Sequence, residues 1–137
     1  MSFLCFIPLV LIVSTNLWNG ININNTLTEI IFFIITMLNI GFIEEIIFRG
    51  FLFKLLAKDS ICMAMLVSSI TFGIGHIINL FTGAELISTL MQICYAMSAG
   101  YLFAVIFHKS NSLLPCIVTH SLLNSLSIFN VDNFLTV

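Results

Sequence analysis

Residues 28–53 read TEIIFFIITMLNIGFIEEIIFRGFLF, and this stretch decides the fold class of the chain. Between Glu29 near its start and Glu44 it contains no charged residue. At about 1.5 Å per helical residue it is long enough to cross the roughly 30 Å hydrocarbon core of a bilayer. The stretch therefore predicts a membrane-spanning helix that carries a cluster of charges in its second half.

The rest of the chain is similarly apolar. Of its 137 residues, 60% are hydrophobic and only 7% are charged, whereas about a quarter of the residues in an ordinary soluble domain are charged. The mean hydropathy is +1.18. A soluble fold of this size has too little interior for so much apolar surface, but lipid accepts it on every face of a helix. We therefore expect an all-α fold, with residues 1–137 forming a single polytopic membrane domain.

Five apolar runs separated by polar breaks are candidate membrane spans. They cover residues 2–18, 28–53, 61–81, 85–107 and 112–130. Lys54 and Lys58 follow the second run and Lys109 follows the fourth, so the three lysines share one side if all five runs cross. The positive-inside rule predicts that this side is cytoplasmic. The breaks on the other side contain no lysine or arginine, and the carboxyl-terminal tail carries only Asp132.

No internal repeat or linker divides the chain, which favours one compact helical bundle. Small residues at Gly73, Gly75, Ala96 and Gly100 would let neighbouring helix backbones approach closely. The first run lacks the basic start and the small-residue cleavage site of a secretory signal, so we expect a retained span.

The charges and cysteines exclude two other classes of function. Lys+Arg 4 against Asp+Glu 6 gives a net charge of −2, which leaves no basic surface for nucleic acid. The cysteines lie singly in apolar runs, without the spacing of a zinc ribbon or a disulfide framework. They are Cys5, Cys62, Cys94 and Cys116, and we interpret them as small packing residues.

The first polar cluster within the apolar runs consists of Glu44, Glu45 and Arg49. A charge at bilayer depth costs roughly 2.5–3.5 kcal/mol, so each one is a functional hypothesis. Glu45 and Arg49 are one helical turn apart and can pair, while Glu44 points about 100° away from Glu45 and is left free for chemistry. In the alternative, all three residues end the span at the interface, with Arg49 snorkelling toward Lys54.

Two further clusters contain histidine. Phe72 and His76 lie in the third run, and His120 and Asn124 lie in the fifth, each pair one helical turn apart. A lone intramembrane histidine is usually a packing residue bonded to a neighbouring carbonyl. Two histidines on separate helices, together with the Glu44 carboxylate and an amide, favour a common cavity.

Such a set suits hydrolysis of an amide bond. Glu44 can take a proton from water that His76 positions, and the N–H groups of His120 and Asn124 can stabilise an oxyanion. Alternatively, Glu44, His76 and His120 would bind zinc and leave a fourth position open, although the sequence has no HExxH motif. Serine nucleophiles near the histidines are a further alternative that no GxSxG motif supports. They are Ser68, Ser69 and Ser121.

Three segments in chain order resemble the motifs of one family. EEIIFR at 44–49, FGIGH at 72–76 and HSLLN at 120–124 are similar to the EExxxR, FxxxH and HxxxN motifs of the CAAX protease and bacteriocin-processing family, also called CPBP or Abi. Its members are intramembrane endopeptidases. The resemblance covers residues 40–127, and three motifs in the correct order on separate spans make it specific.

The resemblance implies a helical membrane fold with a cavity open to the cytoplasm or the inner leaflet. It implies that Glu44 and His76 activate water and that His120 and Asn124 form the oxyanion site. Glu45 and Arg49 would support the first motif. We expect a glutamic-type peptidase without a cofactor, with zinc held by Glu44, His76 and His120 as the alternative. Family members usually carry more helices ahead of the first motif, so a fragment, a minimal version and an inactive relative all stay open.

The expected partners are membrane lipids and a membrane-associated peptide or protein substrate. We expect a multi-pass protein of a bacterial cell membrane that acts in bacteriocin maturation or self-immunity. One alternative is a bacteriocin immunity protein that binds without cutting. Another is a proton-coupled transporter with Glu44, His76 and His120 as a relay, which the lack of repeat symmetry disfavours.

Overall fold

A computed structural model describes residues 6–130, so Cys5, Asp132 and the start of the first predicted span lie outside the described residues. Within that range the fold is all-α, as predicted, and no strand is present beyond one isolated bridge between Ile21 and Asn130. The helices are α1 (Ile7–Ser14), α2 (Leu27–Glu45), α3 (Lys54–Leu56), α4 (Ile61–Gly75), α5 (Leu86–Ser110) and α6 (Leu114–Leu126). A π-helical segment, Ile46–Phe53, joins α2 to α3. Segments of 3-10 helix follow α1, α4 and α6 over Thr15–Leu17, His76–Thr82 and Ser127–Phe129.

Local sequence explains where the long helices begin and end. Thr26 and Glu29 form a reciprocal capping box at the start of α2, which accounts for the one acidic residue there. The Ser60 side chain caps α4 by accepting from the Met63 backbone N–H. Asn111 ends α5 in the left-handed conformation, at a φ of 52°, that asparagine adopts more readily than most residues. These signals place the ends close to the predicted breaks.

Three of the five predicted spans are long and apolar enough to cross a membrane. They are Leu27–Leu56, Ile61–Thr82 and Leu86–Ser110, and the apolar helices Ile7–Leu17 and Leu114–Phe129 are shorter. Many large apolar side chains face outward, among them Phe32 and Leu90. This is the surface that a lipid environment accepts, and the chain is a multi-pass membrane protein.

The lysine-bearing ends of the second and fourth spans lie side by side, as predicted. The rings of Phe53 and Phe107 meet edge to face with their centroids 5.4 Å apart. The Lys54 ammonium lies 5.7 Å from the centroid of the Phe107 ring. The main apolar core begins at this end and includes Cys116, whose thiol donates to the Phe103 carbonyl oxygen at 3.3 Å. That this side is cytoplasmic stays a prediction.

Glycines allow the two closest helix pairings, α4 with α5 and α2 with α6. A Cβ atom at Gly73 would collide with Met97 and would lie 2.8 Å from the Ile93 carbonyl oxygen, both on α5. A Cβ atom at Gly41 would lie 2.7 Å from the Ser121 hydroxyl oxygen on α6. Close approach at Gly73 was predicted, but the same prediction for Gly75 is wrong, because a Cβ atom there would meet nothing within 4 Å.

We predict that Gly73→Ala lowers stability by about 1–3 kcal/mol, because the added methyl group overpacks the α4–α5 contact. Gly75→Ala is the matched control on the same helix and should be neutral or stabilising by up to about 1 kcal/mol, since alanine favours helix over glycine. Thermal unfolding in detergent micelles, followed by circular dichroism, measures both. Equal midpoints for the two variants would contradict the packing argument.

Candidate active site

The contact between Gly41 and Ser121 brings the charged end of α2 against the middle of α6. The Ser121 hydroxyl donates to the Leu38 carbonyl oxygen at 3.4 Å. Glu44 and Glu45 follow Gly41 by about one helical turn, at the level of His120. The first and third sequence motifs therefore meet because one glycine lets two helix backbones approach.

Glu45 and Arg49 form the predicted ion pair. The Arg49 Nη1 lies 3.1 Å from the Glu45 Oε1, and both side chains are 0% exposed. Arg49 Nη2 also donates to the Gly100 carbonyl oxygen of α5 at 2.9 Å. The guanidinium lies 4.7 Å from the centroid of the Phe72 ring, close enough for a cation–π contact. The alternative in which Arg49 snorkels to the interface is therefore wrong.

Arg49 lies in the π-helical segment, Ile46–Phe53. Short π-helical stretches within α-helices are rare and often accompany functional sites. Here the stretch starts directly after Glu45 and carries both Arg49 and Phe53 to buried positions.

His120 bridges the two adjacent carboxylates. Its Nδ1 lies 2.9 Å from Glu45 Oε1, and its Nε2 lies 3.5 Å from Glu44 Oε2. An ionised carboxylate only accepts hydrogen bonds, so the Nδ1–H of His120 donates to Glu45. The opposite nitrogen therefore faces Glu44, whose side chain is 30% exposed.

Two aromatic rings hold the imidazole of His120. Phe103 stacks on it with centroids 5.6 Å apart and planes 30° apart. Phe72 meets it edge to face at 5.5 Å and also contacts the His76 ring at 5.6 Å. Phe72 therefore lies between the two histidines of the motifs.

A cavity of about 50 Å³ lies beside His120. One water molecule needs roughly 10–15 Å³ of such volume, so the cavity has room for a few. Its lining comes from α4, α5, α6 and the start of the 3-10 segment after α4. The lining residues are Phe72, His76, Gln92, Tyr95, Ala96, Ala99, Phe103, His120, Leu123 and Asn124. His76, His120 and Asn124 thus share one cavity, as the sequence predicted.

Glu44 approaches this cavity differently from what was expected. From the sequence we expected Glu44 to act together with His76. In the structure the Glu44 carboxylate lies 3.5 Å from the His120 imidazole. Glu44 itself does not line the cavity. The physical reason is the rotation of α2, which turns Glu44 toward α6. His76 lies at the start of the 3-10 segment after α4, on the other side of the Phe72 ring.

The alternative zinc site does not match the geometry. Across residues 6–130, no three His, Cys, Asp or Glu side chains converge as metal ligands would. Glu44, His76 and His120 therefore do not form the three-ligand set that a catalytic zinc needs. Glutamic-type chemistry stays a prediction.

The serines near the histidines are engaged elsewhere. The hydroxyl groups of Ser68 and Ser69 both donate to the Met65 carbonyl oxygen, and that of Ser121 donates to Leu38. None of the three lines the cavity. They pack the helices instead of presenting a nucleophile.

Several polar residues near the cavity were missed by the sequence analysis. Gln92 lines the cavity and accepts a hydrogen bond of 2.7 Å from Asn79. Asn16 is buried and donates at 2.8 Å to the Leu123 carbonyl oxygen, next to Asn124. These residues are polar groups within apolar runs, as the charged ones are, but they carry no charge and belong to none of the three motifs.

Comparison with protein families gives a match that spans all three motifs. The family model described as "Type II CAAX prenyl endopeptidase Rce1-like" matches residues 26–126, which include all of them. The chain belongs to this family. This confirms the resemblance recognised in the sequence and assigns a CAAX-protease-like intramembrane endopeptidase class. Searches of curated proteins and of solved structures gave no match.

We predict that the Glu45–Arg49 pair of this family member acts as a unit in stability. Glu45→Gln or Arg49→Met leaves one buried charge alone and should cost about 3–5 kcal/mol. The double variant should cost clearly less than the sum, because no charge is left uncompensated. Unfolding in mixed micelles measures all three, with the exposed Lys58→Met as the control for loss of a cation. Additive effects would contradict the pairing.

Proposed function

We propose that the chain hydrolyses a peptide bond in a membrane-associated protein or peptide, with Glu44 as the general base. The supporting observation is the position of the Glu44 carboxylate, 3.5 Å from the Nε2 atom of His120, beside a cavity large enough for water. Glu44 is the carboxylate that keeps exposed surface, while Glu45 is fully buried in its pairs with Arg49 and His120. Two adjacent glutamates thus take two different roles.

In the proposed reaction, a water molecule near Glu44 gives its proton to the carboxylate as its oxygen attacks the substrate carbonyl carbon. The carbonyl π bond breaks, and its electron pair moves to the oxygen to give a tetrahedral oxyanion. As the oxyanion re-forms the carbonyl, the C–N bond breaks. The proton held by Glu44 then passes to the leaving nitrogen, which leaves as an amine.

His120 and Asn124 are the proposed oxyanion donors. They are one turn apart on α6 and line the same cavity, so an imidazole N–H and an amide N–H can reach one oxygen atom. In this role His120 would donate from Nε2, the ring nitrogen opposite the one that contacts Glu45. A preorganised donor in a site shielded from bulk water is worth roughly 100- to 1000-fold in rate.

His76 completes the proposed site from the opposite wall. It lines the cavity with His120 but is separated from it by the edge of Phe72. Its proposed role is to orient the water molecule or the substrate amide.

The family description names a CAAX prenyl endopeptidase, so a farnesylated CAAX peptide is the first substrate to test. A role in bacteriocin maturation or self-immunity is a narrower form of the same proposal. It keeps the chemistry and changes only the peptide that enters the cavity.

We predict that Glu44→Gln lowers cleavage of an internally quenched farnesylated CAAX peptide by at least about 100-fold, because the base is lost while the side-chain shape is kept. Glu85→Gln is the matched control, since Glu85 is an exposed carboxylate before α5 and outside the site. Both variants should reach normal levels in the membrane. A Glu44→Gln variant with full activity would defeat the proposed mechanism.

We also predict that cleavage by the wild-type chain persists after treatment with strong zinc chelators. A water molecule activated by Glu44 needs no metal, and the side chains of Glu44, His76 and His120 do not converge as ligands. A zinc metalloprotease treated in parallel verifies the chelation. Loss of activity that added zinc restores would favour the metal alternative instead.

A further inference from the structure

A second polar cluster borders the cavity and has no part in the proposed chemistry. Gln92 on α5 is only 7% exposed and lines the cavity together with His76 and Asn124. Its Oε1 atom accepts a 2.7 Å hydrogen bond from the Nδ2 of Asn79, in the 3-10 segment that follows α4. Asn79 is not itself a lining residue, so it holds Gln92 from behind.

This arrangement leaves the Gln92 amide nitrogen as a donor facing the cavity. Within residues 6–130, its N–H groups make no hydrogen bond, since the Asn79 contact uses the amide oxygen. An amide donor at the wall of a cavity within the bilayer gains from an acceptor, and lipid offers none. The donor is therefore suited to a group that enters the cavity from outside the chain.

We propose that Gln92, oriented by Asn79, donates a hydrogen bond to a backbone carbonyl of the peptide substrate. This inference rests on the proposed function and adds to it a binding contact away from the scissile bond. A peptide that enters the bilayer brings backbone polar groups that lipid cannot satisfy. The cavity lining contains no lysine or arginine, so its donor matches a neutral carbonyl better than a carboxylate.

The wall of α5 offers a path for such a peptide. Phe103, which stacks on His120, lies about 16 Å along the helix from Gln92, at 1.5 Å per residue. The lining residues between them include the small Ala96 and Ala99. An extended peptide covers that distance in about five residues. Gln92 would therefore bind the substrate a few residues away from the bond that is cut.

Peptide binding in the Glu44→Gln background tests this inference without cleavage. Fluorescence anisotropy with a labelled farnesylated CAAX peptide gives the dissociation constant. Adding Gln92→Leu should weaken binding about tenfold, because the substrate carbonyl loses its donor. Gln92→Glu should weaken it at least as much, since it still accepts from Asn79 but turns a carboxylate oxygen toward the carbonyl. Ser98→Ala, on the exposed side of α5, is the control and should leave affinity unchanged.

Asn79→Asp provides a test that leaves the cavity lining untouched. Aspartate can only accept, so Gln92 must turn its N–H group toward residue 79 and its carbonyl toward the cavity. Peptide affinity should again fall about tenfold. If the contact between Gln92 and Asn79 only joins the 3-10 segment to α5, Gln92→Glu and Asn79→Asp would keep the affinity of the Glu44→Gln background, and the inference would be overturned.

Peptides with single backbone thioamides, which are weaker acceptors, locate the carbonyl. A thioamide at one position of the peptide should weaken its binding to a chain that retains Gln92. The same thioamide should not weaken binding any further in a chain that carries Gln92→Leu. If instead only amidation of the peptide's carboxyl terminus shows this dependence on Gln92, the bound group is a carboxylate and the backbone-carbonyl inference fails.

Cleavage of the same peptide by the wild-type chain separates this inference from the proposed function. If binding depends on Gln92 but the wild-type chain does not cleave the peptide, the proposed peptidase mechanism is contradicted and the binding contact is supported. If cleavage depends on Glu44 but substitution of Gln92 leaves the affinity unchanged, the mechanism is supported and the binding contact is contradicted.

Discussion

The buried contact between Glu45, Arg49 and His120 is the interaction on which the rest of the site depends. Glu45 and Arg49 have no exposed surface, and a single carboxylate oxygen of Glu45 contacts both partners. Each of these charges is costly inside a bilayer unless the others are present. The pair joins α2 to α5 through the Gly100 carbonyl and to α6 through His120. Electrostatic compensation thereby fixes the orientation of the imidazole that faces Glu44.

Close helix packing makes this compensation geometrically feasible. A Cβ atom at Gly100 would lie 3.1 Å from the Arg49 Nη2 and 3.0 Å from the Phe72 ring, so only glycine leaves room there without displacement. Gly41 does the same for the approach of α2 to α6. In membranes, where apolar side chains gain little by leaving lipid, such close contacts and interhelical hydrogen bonds carry much of the packing energy. The site thus depends on small residues that have no chemistry of their own.

The sequence predicted features that follow from composition and from spacing along one helix. The all-α fold, the apolar runs and the Glu45–Arg49 pair are of this kind, because apolar length and an i, i+4 spacing are local properties. The partner of Glu44 was predicted less well, since it depends on the rotation of α2 against α4 and α6. The π-helical segment after Glu45 was not predicted, because apolar length and periodicity indicate a helix without distinguishing its hydrogen-bond pattern. The contact between Asn79 and Gln92 joins two elements through neutral amides, which a search for charges passes over.

The short last helix gives a physical reason for water to reach a site inside the membrane. At 1.5 Å per residue, Leu114–Phe129 spans about 24 Å, less than the roughly 30 Å of an average hydrocarbon core. Thinning of the bilayer around it is one way in which a short apolar helix is accommodated. His120 lies about 9 Å from the start of this helix, so the thinned region would bring water close to Glu44 and His120. Hydrolysis consumes one water molecule in every turnover, and helix length would thereby supply the reactant that Glu44 is proposed to activate.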